Sequence, residues 1–152
     1  MAKNTYQQKI YGNPNWVTGR INRSEYFVRC LLLGPLCNIA ATITTMGYVA
    51  ISKGSGSLVS YAMLIGCGAL AALAYWRIIM AYVKRLHDLG WTGWLSLILV
   101  FSNIPALLHN DTLIMVGNIV VSIFSLILLF VSGTKGPNAY GQDPLTKYTE
   151  NE

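Results

Sequence analysis

The chain has 152 residues, of which 53% are hydrophobic and only 11% are charged. An ordinary soluble domain carries about 25% charged residues, so this composition argues against a soluble domain and indicates that lipid surrounds much of the chain. The net charge of +5 does not indicate a nucleic-acid partner, because the basic residues form no long stripe and are not interleaved with aromatic residues.

The first 21 residues are polar and include a turn-forming Gly-Asn-Pro-Asn sequence at 12–15, so we interpret residues 1–21 as a segment outside the membrane. No early apolar stretch is present, which argues against a cleaved secretory signal. Asn22 and Glu25 have the spacing of a capping box, in which a helix-capping acceptor precedes an acidic residue by three positions. They predict that a helix begins here.

Four apolar segments predict transmembrane helices, since about 20 residues cross the hydrocarbon layer. The predicted spans are 26–51, 58–83, 94–108 and 113–131. Pro35 is expected to kink the first span, and Gly68 and Ala72 in the second have the small-residue spacing that lets another helix approach closely. The polar residues 84–93 are predicted to form a connection and 109–111 a tight turn.

The predicted fold is therefore all-α, a bundle of four transmembrane helices at residues 22–132, followed by a polar tail at 133–152. Gly133 is predicted to be the C-cap of the last helix. The cysteines Cys30, Cys37 and Cys67 lie in apolar stretches without CxxC spacing, which argues against a disulfide framework or a zinc site. We expect them to be packing residues.

The distribution of Lys and Arg predicts the orientation. Eight of the eleven basic residues lie in the N-terminal segment, the second loop and the tail, whereas Lys53 alone lies in the first loop and none in the third. Arg29 and Arg77 lie within spans. Because basic residues concentrate on the cytoplasmic side of membrane proteins, both termini and the second loop are predicted to be cytoplasmic.

Three polar segments would lie together on that side. They read Gly-Arg-Ile-Asn-Arg-Ser-Glu-Tyr-Phe at 19–27, Lys-Arg-Leu-His-Asp-Leu-Gly-Trp-Thr-Gly-Trp at 84–94, and Gly-Thr-Lys-Gly-Pro-Asn-Ala-Tyr-Gly-Gln-Asp-Pro at 133–144. In this order they resemble the bacterial inner-membrane proteins grouped as domain of unknown function 805, over roughly residues 15–145, with small departures at Lys84, Thr92 and Ala139. The resemblance implies a small multi-span protein of the bacterial inner (plasma) membrane, and it supplies no established activity or catalytic residue.

Charged side chains of these segments are expected to form a cytoplasmic network. Glu25 and Arg29 have the i,i+4 spacing of a helical ion pair with the acid first. Arg77 precedes Lys84 by seven residues, which places it about 10 Å deeper in the membrane, where a charge needs a partner. The candidate binding residues are Arg20, Arg23, Glu25, Arg29, Arg77, Arg85, His87, Asp88, Asn138, Tyr140 and Asp143.

Three functions remain open at this point. The first is a structural or interaction role, in which the network anchors helix ends, binds anionic lipid headgroups, or docks a protein partner or a second copy of the chain. The second is a small oligomeric transporter of an anion or another solute, which Arg29 and Arg77 would suit. The third is an enzyme acting on lipid headgroups. Asn38, Asn103 and Asn118 are interpreted as hydrogen-bonding links between helices.

The sequence favours a role other than catalysis, and an enzyme is kept as an alternative. His87 and Asp88 resemble the core of a metal-dependent hydrolase, but His109, the other histidine, is predicted to lie across the membrane. Asp88 and Asp143 could hold magnesium, although we expect the neighbouring arginines to pair with them. No catalytic constellation is complete and the tail lacks a GxxxxGK[ST] phosphate loop, so no catalytic residue, metal or cofactor is predicted.

Overall fold

The computed structural model of the protein describes residues 19–104 and 111–145. The predicted turns at 12–15 and 109–111 lie outside those residues wholly or in part, as does the end of the tail at 146–152. Four helices are labelled in chain order: α1 (Arg23–Ser52), α2 (Leu58–Asp88), α3 (Leu97–Phe101) and α4 (Asp111–Phe130). No strand occurs in the described ranges, so the chain is all-helical there, as predicted.

Helices α1, α2 and α4 are long and apolar enough to cross a membrane, with 30, 31 and 20 residues. In α1 and α4, hydroxyl side chains donate hydrogen bonds to carbonyl oxygens one turn earlier in the same helix, as Thr44 does to Ala40 at 2.8 Å and Ser125 to Val121 at 2.7 Å. Such internal pairing suits lipid, where no water is available to satisfy a polar group. These helices indicate a membrane protein.

The third predicted span, 94–108, is described only as far as residue 104. It consists of a 3₁₀ turn at Gly93–Ser96 and the short helix α3, and the side chain of Thr92 caps its start by accepting from the backbone N–H of Trp94. Three long helices are therefore described where four spans are predicted. A membrane crossing by this segment stays a prediction.

The start of α1 agrees with the sequence. Asn22 Oδ1 accepts from the backbone N–H of Glu25 at 2.7 Å, which is the predicted cap. Pro35 lies inside α1, which runs through it without interruption. Three residues later, Asn38 donates its amide to the Gly34 carbonyl at 2.9 Å. Its hydrogen bond stays within α1, whereas the sequence suggested a link to another helix.

The prediction that residues 84–93 form a connection was wrong for its first half, because α2 continues to Asp88. The helix ends in a Schellman motif: the Trp91 N–H donates to the Leu86 carbonyl at 2.9 Å and the Gly90 N–H to the His87 carbonyl at 3.1 Å. Gly90 has φ +76°, a conformation that glycine adopts without strain. The helix thus ends at Asp88, and Gly90 turns the chain away from the helix axis.

The described residues divide into two compact units, one formed by Val28–Ile78 and the other by 19–27 with 79–104 and 111–145. In the first unit, α1 and α2 approach closely at glycines. A Cβ at Gly47 would lie 2.7 Å from the Ser60 carbonyl oxygen, and one at Gly68 would lie 3.4 Å from Thr44 Cγ2. The predicted close approach therefore occurs at Gly68, and Gly47 makes a tighter one that the sequence analysis did not single out.

The second unit has an aromatic core. The ring of Tyr82 lies 5.4 Å from that of Tyr26 and 6.2 Å from that of Phe124, centroid to centroid. The Tyr82 hydroxyl hydrogen-bonds to the hydroxyl of Ser125 on α4, and Leu128 on the same helix is fully buried. These contacts join the end of α2 to α4, and they support the polar cluster described next.

Candidate functional site

Asp88, the last residue of α2, is the centre of a buried polar cluster. Its Oδ1 accepts from Arg20 Nε at 3.0 Å, and Arg20 Nη2 lies 2.9 Å from the same oxygen. Its Oδ2 accepts from Arg85 Nη1, one turn earlier on α2. All three residues are buried, with exposed fractions of 7% or less. Two buried cations share one carboxylate, so the arginines need further acceptors.

Arg85 finds those acceptors at the end of α4. Its Nε donates to the Leu128 carbonyl at 2.7 Å and its Nη2 to the Val131 carbonyl at 2.5 Å. The last carbonyls of a helix have no partner within it and carry partial negative charge, so a guanidinium there is favourable. The prediction that Gly133 caps α4 was therefore wrong. The helix ends at Phe130, and Gly133 is not among the glycines of positive φ. Arg85 donates to the carbonyls at the helix end instead.

Arg20 binds the tail. Its Nη1 donates to the Gly136 carbonyl at 2.6 Å, with a longer contact of 3.4 Å to the Gly141 carbonyl, and its Nη2 donates to the Thr134 carbonyl. One side chain from the segment before α1 thus hydrogen-bonds to three backbone carbonyls of the third polar segment. Hydrogen bonds to charged donors are stronger than neutral ones, so Arg20 is a major anchor of the tail.

The tail also caps the end of α2. The Asp88 carbonyl accepts from the backbone N–H of Thr134 at 2.8 Å and from its hydroxyl at 3.0 Å. The amide of Asn138 donates to the His87 carbonyl at 2.9 Å and to Thr134 Oγ1 at the same distance. These donors satisfy carbonyls that the helix leaves open at its C-terminus. The tail is therefore a structural part of this unit.

A tight turn completes the tail. Asn138 and Gly141 exchange two backbone hydrogen bonds, and Asn138 Oδ1 accepts from the Tyr140 N–H at 2.9 Å. The turn presents the Tyr140 ring to His87, with ring centroids 4.0 Å apart and planes within 3° of parallel. The imidazole of His87 is thus buried under Tyr140, and its exposed fraction is 7%.

Asp143 closes the last turn. Its Oδ1 accepts from the Leu145 N–H and its Oδ2 from the Gly136 N–H, both at 3.0 Å. The N–H groups of Leu145 and Gly136, together with the charge of Arg20, hold the pKa of the Asp143 carboxyl below its ordinary value, and partial burial opposes them. The carboxylate form therefore stabilises the folded tail.

A cleft of about 250 Å³ borders the cluster, and its rim carries two further cations. Arg23, the first residue of α1, and Lys135 in the tail both line it and are exposed. Within the part of the chain that the structure describes, neither side chain makes a hydrogen bond or an ion pair. Typical ligand pockets measure about 300–1,000 Å³, so this smaller cleft suits a compact polar group.

The structure brings most of the predicted site residues into one unit. Those of the cluster and its rim are Arg20, Arg23, Arg85, His87, Asp88, Asn138, Tyr140 and Asp143. Glu25 is half-buried in the same unit, two residues after Arg23. Arg29 and Arg77 belong to the other unit and are exposed on their helices, so their part in the network stays a prediction.

Several contributors were not singled out from the sequence. Thr134 and Lys135 lie within the third polar segment, so the sequence gave a signal for them. The carbonyls of Leu128 and Val131 give no sequence signal, because every residue carries a carbonyl. Across the described ranges, no group of three His, Cys, Asp or Glu side chains is placed to hold a metal. Both oxygens of Asp88 are engaged by arginines.

Comparison with known proteins agrees with the sequence blocks. The family described as protein of unknown function (DUF805) matches residues 16–142, which include nearly all of the three polar segments. No curated protein and no solved structure matches the chain.

Proposed function

Because this chain belongs to the DUF805 family of proteins of unknown function, we propose its function from its own residues: it is an inner-membrane protein that binds the headgroup of an anionic phospholipid at its cytoplasmic face. The buried arginines are structural in this proposal, and the exposed rim of the cleft is the binding surface. The proposal rests on one difference: the arginines of the cluster are buried and paired, whereas the cations on the rim of the cleft are exposed.

The buried arginines of the cluster already donate hydrogen bonds to partners within the protein. Arg20 and Arg85 both donate to Asp88, and they also donate to backbone carbonyls of the tail and of α4. Removing them from those partners would leave a buried carboxylate and several carbonyls unpaired, at a cost of several kcal/mol. They are therefore poor candidates for contacting a ligand that comes and goes.

Arg23 and Lys135 are different, because both are exposed and line the same cleft. Arg23 also begins α1, so the partial positive charge of a helix N-terminus adds to the two side chains. A membrane-crossing helix begins near the headgroup layer, where each basic residue contributes about 1 kcal/mol of attraction to anionic lipid. A lipid phosphate is the compact anion closest at hand.

The orientation is supported by charge. Eight Lys and Arg residues lie on the side of the cluster by the predicted topology, against Lys53 alone on the other. The excess of basic residues on the cytoplasmic side of membrane proteins assigns the cluster and both termini to the cytoplasm. The anionic lipids of the cytoplasmic leaflet then face the rim of the cleft.

Native mass spectrometry of the detergent-purified protein tests the proposal. The protein is titrated with phosphatidylglycerol and with phosphatidylcholine, and phosphatidylglycerol is expected to be retained preferentially. Arg23→Gln and Lys135→Gln are each expected to weaken its retention about fivefold, which corresponds to about 1 kcal/mol. The matched control is Lys53→Gln, which removes the same charge from the loop between α1 and α2.

Equal retention of the two lipids would contradict headgroup binding. Equal loss in Lys53→Gln would show that net charge alone attracts the lipid and would contradict a site at the cleft. Retention of a protein in place of a lipid, lost in the same two rim variants, would assign the surface to a protein partner.

A further inference from the structure

One polar side chain in α4 has no local partner. Asn118 is exposed and lies seven residues after the start of the helix, which is about 10 Å along its axis. Among the described residues its amide makes no hydrogen bond. Asn38 and Asn103 differ, since Asn38 donates to the Gly34 carbonyl at 2.9 Å and Asn103 to the Leu99 carbonyl at 2.6 Å.

An exposed amide at this depth is costly in lipid, because each unpaired polar group in hydrocarbon costs free energy. The neighbouring Ser122 avoids this cost by donating its hydroxyl to the Asn118 carbonyl at 2.7 Å. The hydroxyl of Ser125 bonds to Tyr82 in the core of its own unit. Beyond the first turn of α4, the Asn118 side chain is therefore the polar group that needs a partner from outside.

The surface around Asn118 is a shallow groove of about 570 Å³ along α4. It includes Asp111, Met115, Asn118 and Ser122, which follow one another at intervals of four, three and four residues. That alternation is the heptad spacing at which two helices pack side by side over several turns. Apolar side chains of Ile119 and Leu126 border this line.

We propose that this face of α4, defined by Met115, Asn118, Ile119, Ser122 and Leu126, is the interface between two copies of the chain, which bond to each other through their Asn118 amides. A carboxamide has both donors and an acceptor, so two of them satisfy each other across a two-fold axis. Copies of one chain insert in the same direction and place Asn118 at the same depth. A second copy therefore meets the need of this residue without any further polar group.

Self-association of fluorescently labelled protein, measured by energy transfer in liposomes over a range of protein densities, tests the interface. The wild-type protein is expected to dimerise, and Asn118→Leu to raise the dissociation constant roughly 3- to 20-fold, the range set by interhelical hydrogen bonds in membranes. Asn118→Gln keeps the amide and should retain most of the association. Asn38→Leu is the matched control, because Asn38 already bonds within its own helix.

Three results would overturn the proposal: monomeric wild-type protein at every density, unchanged association of Asn118→Leu, or equal weakening by Asn38→Leu. A second experiment uses single cysteines in a variant whose three native cysteines are replaced by alanine. Met115→Cys should form disulfide-linked dimers on mild oxidation, whereas Val120→Cys, exposed on the other side of α4, should not. Equal crosslinking at both positions would also overturn it.

Discussion

Gly133 lies so close to the carboxylate of Asp88 that a Cβ added to it would lie 2.6 Å from Cγ of the aspartate. Asp88 is held in that position by Arg20 and Arg85, so it has little room to move aside. The glycine is required here by the packing of the tail against a buried ion pair, and its role differs from the helix cap that the sequence suggested.

Gly133→Ala is therefore expected to destabilise the protein by about 1–3 kcal/mol, the usual cost of forcing an extra methyl group into a packed site. The measurement is thermal unfolding in detergent, followed by circular dichroism. Gly34→Ala is the matched control, since a Cβ there meets nothing within 4 Å. A control variant that unfolds as early as Gly133→Ala would refute this explanation.

Substitutions of Arg85 and Arg23 test whether the buried cations stabilise the fold while the exposed cations do not. Arg85→Gln is expected to lower the free energy of unfolding by about 3–5 kcal/mol, because it removes one partner of a buried carboxylate and uncaps α4. Arg23→Gln should cost less than about 1 kcal/mol, since an exposed charge without a fixed partner adds little to stability. Comparable losses in the two variants, measured by the same thermal unfolding, would contradict the assignment.

The end of α2 yields a third prediction. Gly90 has φ +76° in the Schellman motif, and a Cβ there would meet only Thr134 Cγ2, at 3.6 Å. The cost of Gly90→Ala is then conformational and should be about 1 kcal/mol, while Gly90→Asn should cost less because asparagine tolerates the left-handed region. Thermal unfolding of the two variants measures the difference. A larger loss for asparagine than for alanine would count against this origin of the cost.

Acid should loosen the tail through Asp143. Because the N–H groups of Leu145 and Gly136 lower the pKa of its carboxyl in the folded protein, its contribution to stability is fully present above the ordinary aspartate pKa. It is lost as the pH falls through the lowered pKa of the folded state. Limited proteolysis of the tail, followed over pH, should show this loss in the wild-type protein.

Asp143→Asn should show faster cleavage of the tail already at neutral pH and a weaker dependence on acid. Asp111→Asn, which removes an exposed carboxylate at the start of α4, serves as the control and should keep the pH profile of the wild-type protein. If Asp143→Asn also kept the wild-type profile, the carboxylate would not be the group that couples the tail to pH.

The three polar segments and the helix start at Asn22 could be recognised from the sequence because their signals are local. These signals are a capping residue, a basic flank and an apolar run of sufficient length. The sequence did not predict that α2 continues to Asp88, because Lys84 and Arg85 are as compatible with a polar loop as with a helix. The residues that cap this end of the helix, Thr134 and Asn138, lie about fifty residues further along the chain.

The same limit applies within the cluster. Sequence alone suggested that the arginines pair with Asp88 and Asp143, and the pairs of Asp88 with Arg20 and Arg85 are present in the structure. It could not show that Arg85 would cap α4, because the Leu128 and Val131 carbonyls become available only where that helix ends. Long-range backbone partners leave no trace in residue type.

The proposed cytoplasmic orientation of the polar cluster can be measured by labelling single introduced cysteines in intact cells. In a variant without native cysteines, Lys53→Cys should react with a membrane-impermeant maleimide added from outside. Lys135→Cys should react only after the cells are permeabilised. Labelling of Lys135→Cys in intact cells, with Lys53→Cys protected, would contradict the orientation and the headgroup site that depends on it.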